Sequence, residues 1–177
     1  DVRPAMSGID PSMPRSAYIF NPTITGIEEA DAILIIGANP RKEASLINAR
    51  IRKTWRAKNI PVGVIGERAD LTYTYDYLGE GFETLTDLVA GKGSFGEILA
   101  KAQRPIVIVG EAAVSHATLG KQVGRDVIAL ASKLATGANV AEGWNGFALL
   151  HNAASRLGGL DIGFVPHDGG VCSADQI

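Results

Sequence analysis

Three runs of apolar, mostly β-branched residues punctuate the chain: Ala32-Ile33-Leu34-Ile35-Ile36, Val62-Gly63-Val64-Ile65 and Pro105-Ile106-Val107-Ile108-Val109. Continuous apolarity over four or five residues suits a strand buried on both faces, as in a parallel sheet. Each run stops at a glycine, Gly37, Gly66 or Gly110. After the first, Asn39 is a good helix N-cap and Pro40 a good first helical residue, which predicts a helix from Pro40 to about Lys58. Ala44, Ile47, Ile51 and Trp55 recur on one face of it at helical spacing. Further helices are predicted near 82–90, 94–102, 119–135 and 145–157. The stretch 71–79 alternates large and polar residues and reads as an exposed strand or an ordered loop.

Strand, glycine, helix, three times over, predicts an α/β domain with a parallel sheet. Residues 1–28 read as a connecting segment, 29–165 as the α/β domain and 166–177 as a loosely ordered, glycine-rich tail. The glycines at the strand ends admit two readings. They make tight strand-to-helix turns, or they let backbone approach a ligand at the carboxyl edge of the sheet.

With 46% hydrophobic and 20% charged residues in a chain of 177, intrinsic disorder is excluded. A net charge of −2 argues against a dedicated nucleic-acid binder. The single cysteine, Cys172, excludes an internal disulfide framework and a closed cysteine-rich cluster within this chain, and a reducing compartment is the expectation. No apolar run is long enough to span a membrane, and no signal peptide is visible. The chain starts at Asp1, without methionine, and is expected to be a piece of a longer protein.

Among the candidate motifs, Gly91-Lys92-Gly93-Ser94-Phe95-Gly96 matches the dinucleotide fingerprint in form only. It follows a predicted helix rather than a strand, so it reads as a turn between helices. The stronger candidate is Gly37-Ala38-Asn39-Pro40-Arg41, after a buried strand and opening a helix, where free N–H groups and the helix dipole favour an anion. Its alternative is an ordinary capped helix. Seven of the 17 Lys and Arg residues lie between Pro40 and Lys58, offset there only by Glu43. That run is either a solvated face or a partner surface. It lacks the interleaved aromatics that stack bases. His116, His151 and His167 form no ligand pattern, although His116 beside Ser115 follows a strand closely enough for catalysis to be conceivable. Cys172 reads as incidental. No carboxylate pair has acid–base spacing.

The run Glu28 to Ala44, with 48–55 (NARIRKTW) and 70–79 (DLTYTYDYLG), resembles the large iron–sulfur subunit of respiratory NADH:quinone oxidoreductase, complex I (the G subunit in bacteria, the 75 kDa subunit in mitochondria). The resemblance extends from about Tyr18 to Val165. It implies a Rossmann-like parallel sheet flanked by helices, part of a molybdopterin-oxidoreductase-like domain. It also implies that the iron–sulfur clusters sit in the N-terminal region of the parent subunit, with no cofactor and no catalytic residue in this chain. The implied partners are the rest of that subunit and other peripheral-arm subunits, with no nucleic acid and no membrane insertion. The implied location is the cytoplasmic face of a bacterial inner membrane or the mitochondrial matrix side.

Active molybdopterin enzymes hold a pterin guanine dinucleotide on a G-x-N-P loop, a form that Gly37-Ala38-Asn39-Pro40 keeps. They tend to carry Asp-Pro-Arg after the next strand. Here the stretch is Gly66-Glu67-Arg68, so the nucleotide-reading aspartate is missing and only Arg68 remains. The resemblance therefore implies a vestigial site at Gly37, Ala38, Asn39, Pro40, Arg41 and Arg68. The segment Pro105–Ala113 is also similar to the middle domain of thiamine-diphosphate enzymes, which leaves a nucleotide- or cofactor-binding oxidoreductase or lyase domain as the alternative.

Overall fold

The computed structural model describes residue 3, residues 7–115 and residues 120–166. Five parallel strands form one sheet in the order β3-β2-β1-β4-β5: β1 Ala32–Ile36, β2 Val62–Ile65, β3 Asp76–Gly79, β4 Pro105–Val109 and β5 Phe147–Leu149. The helices are α1 Thr23–Gly26, α2 Pro40–Glu43, α3 Ser45–Lys58, α4 Phe82–Val89, α5 Gly93–Lys101, α6 Glu111–Val114, α7 Gly120–Ala135 and α8 Arg156–Asp161.

The period of two along each strand divides the core between the two faces of the sheet. Ala32, Leu34, Ile36, Val107, Val109, Phe147 and Leu149 pack with Leu85, Phe95, Leu99, Val127 and Ile128 of α4, α5 and α7. Ile33, Ile35, Val62, Val64, Ile106, Ile108 and Ala148 face the other way, towards Ile27, Ile51, Leu71 and Tyr73. Both faces of β1 and β4 are therefore buried, which is why their sequences are continuously apolar. Ile9, Tyr18 and Ile27 are buried as well, so the stretch before residue 29 packs onto the sheet. Residues 19–21 line the outer edge of β5, through Leu149 N–H to the Ile19 carbonyl and Asn21 N–H to the Phe147 carbonyl, both at 3.1 Å.

Two predicted helices differ from what forms. The helix expected over 40–58 is two helices, α2 and α3, broken at Ala44 (φ −149°, ψ 64°). Apolar spacing runs straight through the break and carries no sign of it. The helix expected over 145–157 is a correction: Phe147–Leu149 is the strand β5, parallel to β4, and helix resumes only at α8. A short apolar run does not distinguish buried strand from buried helix by periodicity. Pairing with β4 decides it, through Phe147 against Val107 and Leu149 against Val109. Of the 71–79 stretch, residues 76–79 are strand, paired with β2. The Gly91-x-Gly93 segment is a turn between α4 and α5, with φ of +73° and +76° at its two glycines.

Candidate functional site at the carboxyl edge of the sheet

The chain passes from β1 outward through β2 to β3, then returns to lay β4 on the other side of β1. The carboxyl ends of β1 and β4 thus form the switch point at which ligands bind in open α/β sheets. Gly37 and Gly110 stand there. A Cβ on Gly110 would lie 2.2 Å from the Gly37 carbonyl oxygen, and one on Gly37 would lie 2.7 Å from the Ala113 Cβ. Gly37 also takes φ +56°, a left-handed conformation that glycine adopts at least cost. The glycines bring two backbone turns together and set α6 against the loop. The space beside Gly37 is filled by Ala113 of this chain.

Several polar groups of the loop are engaged within the domain. Asn39 caps α2, its side-chain oxygen accepting from Lys42 N–H at 3.4 Å. The Glu43 carboxylate turns back and accepts from Asn39 N–H at 2.7 Å. Gly37 N–H donates to the Ile65 carbonyl at 2.9 Å. Pro40 has no N–H to offer. Arg41 reaches away from the loop to Asp70, donating to its carboxylate at 2.6 Å and to its carbonyl at 3.0 Å. The Thr72 N–H bond first, and then Arg41, hold the Asp70 carboxyl below its ordinary range. Arg68 stacks on the Tyr77 ring, 3.8 Å from its centre.

Beside the loop, at the ends of β1 and β2, lies a cavity of about 250 Å³. Ile36, Ile65, Phe82, Leu85, Val123 and Val127 make it apolar, and its one charged lining residue is the acidic Glu67. Pockets for drug-sized ligands run to roughly 300–1,000 Å³. A pterin dinucleotide is a large dianion whose phosphates need cations or free N–H groups. These residues offer it little: the Asn39 N–H is taken by a carboxylate, Arg41 and Arg68 are engaged with Asp70 and Tyr77, and the cavity's charged lining residue is an acid.

Other sequence candidates come apart. Ser115 Oγ is buried without a hydrogen bond among the described residues. His116, His167 and Cys172 lie outside the described residues. His151 Nε2 lies 2.6 Å from the Tyr18 carbonyl, a contact that makes it the protonated nitrogen, and Nδ1 is buried without a partner among the described residues. Glu111 pairs with Arg156 at 2.6 Å. Among the described residues no three His, Cys, Asp or Glu side chains come together to hold a metal, and no helix is long and apolar enough to cross a membrane. The sequence reading missed Glu43, Asp70 and Tyr77 as the groups that take up the loop's donor and its cations. Only Glu43 left a signal, as an acid in the first turn after Asn39-Pro40.

The five-stranded parallel sheet, flanked by helices and with paired glycine turns at its switch point, defines an open α/β domain. A family model described as molybdopterin oxidoreductase matches residues 1–177, and the chain belongs to that family. It is 40% identical over 165 residues to the mitochondrial NADH-ubiquinone oxidoreductase 78 kDa subunit of Neurospora crassa, covering 92% of this chain and 21% of that protein. It is 43% identical over 150 residues to the Candida albicans protein of the same name, covering 85% of this chain and 20% of that one. The G subunit of the NADH-quinone oxidoreductase of Rickettsia bellii is 40% identical over 151 residues, covering 85% of this chain and 21% of that protein. The chain thus spans about a fifth of the length of these relatives.

Proposed function

We propose that the chain is part of a G-type or 78 kDa-type subunit of NADH:quinone oxidoreductase and serves there as a structural piece of the peripheral arm. The α/β body of residues 29–165 carries no redox centre in this reading, and the iron–sulfur clusters lie elsewhere in the parent subunit. Gly37, Ala38, Asn39, Pro40, Arg41 and Arg68 are the remains of a pterin site. Its partners are the rest of the parent subunit and neighbouring arm subunits, on the cytoplasmic face of a bacterial membrane or the matrix side of a mitochondrial one. The observation that carries the reading is the fate of the loop in a chain 40% identical to such subunits: Glu43 takes the Asn39 N–H that an anion would need.

The test is elemental and pterin analysis of the assembled complex containing the parent subunit. Co-purification with NADH:quinone oxidoreductase activity and no stoichiometric molybdenum or pterin is the expected result. One molybdenum per parent subunit, or absence of the subunit from the complex, overturns the reading.

A further inference from the structure

We propose that the outward face of α3 is a docking surface for an acidic protein segment lying outside residues 1–177, with Leu46 as its apolar anchor. This rests on the reading of the chain as a structural piece of a larger assembly.

Helix α3 buries Asn48, Ile51 and Thr54. The opposite face carries Leu46, Ala49, Lys53 and Arg56, at i, i+3, i+7 and i+10, with Arg52 one turn before Arg56. Leu46 is 74% exposed, on a helix whose other large apolar side chains, Ile47, Ile51 and Trp55, pack against the core. The cations of α2 and α3 then divide in two. Arg41 meets Asp70, while Arg50 and Lys53 both meet Glu28. Lys58 Nζ donates to the Glu28 carbonyl. Lys42 of α2 meets no carboxylate among the described residues, and neither do Arg52 and Arg56, on the flank of α3 away from Glu28. Two like charges at i and i+4 repel, and no described acid of the domain offsets them. A carboxylate from outside would, and a guanidinium can grip it through two parallel hydrogen bonds.

Ala49, between Leu46 and the arginines, leaves room for a backbone to approach. Leu46 and Arg56 lie about 15 Å apart along the helix axis. The matching occupant is therefore an element with an apolar side chain at one end and carboxylates two to three turns away. A lone leucine is too little apolar surface for a helix lying in a membrane interface, which needs a hydrophobic face along its length. Trp55, the aromatic residue of this helix, faces Tyr73 with ring centres 6.4 Å apart and is not presented for base stacking.

The experiment is zero-length carbodiimide cross-linking of the assembled complex carrying R52K and R56K, followed by peptide mass spectrometry. The Lys53–Glu28 contact, at 2.8 Å, is the internal control that the reaction has worked. Cross-links from positions 52 and 56 to Asp or Glu outside residues 1–177 are expected. The control cross-link without any from 52 or 56 overturns the proposal. In parallel, R52E/R56E and L46D should each lower the yield of assembled complex severalfold, while the thermal midpoint of the variant subunit stays unchanged. Wild-type yield from both overturns it. Binding of the parent subunit to phosphatidylcholine–cardiolipin vesicles that R52E/R56E abolishes overturns it in favour of a lipid surface. If the wild-type subunit is absent from the complex, the proposed function itself falls. A wild-type subunit that assembles, with variants that assemble equally well, leaves that function standing and removes only this surface.

Discussion

The carboxylate of Glu43 accepts a hydrogen bond from the Asn39 N–H at 2.7 Å, closing the first turn of α2 on itself. This is a relative of the capping box, with the acid one residue later than usual. Helix N-termini attract anions because their first N–H groups lack partners. Here the chain supplies its own anion. The same contact that stabilises α2 removes a donor from the loop whose G-x-N-P form suggests a phosphate cradle.

Replacing Glu43 with alanine should therefore destabilise the domain by about 1 kcal/mol, the usual scale for losing a cap. Urea unfolding of the chain measures this. The variant should still show no heat of binding with pyrophosphate or GDP in calorimetry, because Arg41 remains with Asp70 and Arg68 over Tyr77. Micromolar binding by the variant would mean that Glu43 alone keeps a working site shut.

Gly37 and Ala113 form a second dependence at the same place. An alanine at position 37 would need φ +56° and would bring its Cβ to 2.7 Å from that of Ala113. Left-handed backbone costs an alanine roughly 1–2 kcal/mol, and overpacking adds about 1–3 kcal/mol. G37A should destabilise by about 3 kcal/mol in a denaturant titration. A113G should recover only a part of that in the double variant, measured as a coupling energy, because the Ala113 backbone nitrogen would still lie 2.9 Å from the new Cβ. Full additivity would mean that the clash is with the Ala113 backbone and not with its methyl group.

The three inner strands were legible because burial on both faces leaves an unbroken apolar run, as Ile33 to Ile36 shows. The outer strands were harder. Tyr77 and Leu78 in β3 are only half-buried, and Phe147–Leu149 is too short for periodicity to separate strand from helix. Asn39 and Pro40 announced a helix start through local chemistry, which sequence carries well. Whether that start was open to a ligand depended on Asp70 and Tyr77, and nothing in the spacing of Arg41 to Asp70 or of Arg68 to Tyr77 announces their contacts. Long-range pairing of polar side chains is set by tertiary packing, so the site's form could be read and its occupancy by the chain itself could not.

Asn48 and Tyr73 tie α3 to the loop between β2 and β3. The Tyr73 hydroxyl donates to Asn48 Oδ1 at 2.9 Å, and Asn48 Nδ2 donates to the Leu71 carbonyl at 3.1 Å. Burial pushes the Tyr73 phenol well above its ordinary range, so it stays a donor throughout the physiological range. N48A leaves both the phenol and a carbonyl without partners in the interior, at a cost of about 1–3 kcal/mol each. Y73F leaves only one acceptor unmatched and should cost about 1 kcal/mol. Urea unfolding should rank N48A clearly below Y73F, and the reverse order would mean that the Leu71 carbonyl finds another donor.

His151 is half-buried beside the Tyr18 carbonyl, where its protonation is coupled to folding. Burial lowers its pKa from the ordinary 6.5, and the nearby Arg156 pushes the same way, while the Tyr18 carbonyl and Glu111 oppose. Its Nδ1 is enclosed without an acceptor among the described residues, so the imidazolium would carry a buried proton with nowhere to donate it. The unfolded chain therefore binds the proton more readily than the folded one. Stability is fully present above about pH 6.5 and falls as pH drops through the window between the unfolded and the lowered folded value. The depressed carboxylates, Asp10, Glu28, Asp70 and Asp161, lose their contributions only as pH falls below their ordinary values of 3.8 or 4.5. The two effects separate on the pH axis. Thermal midpoints across this range should decline first below about pH 6.5 and again near about pH 4. H151Q keeps an amide donor for the Tyr18 carbonyl and cannot titrate, so it should flatten the first decline and leave the second. A first decline that survives H151Q would assign that step to another group.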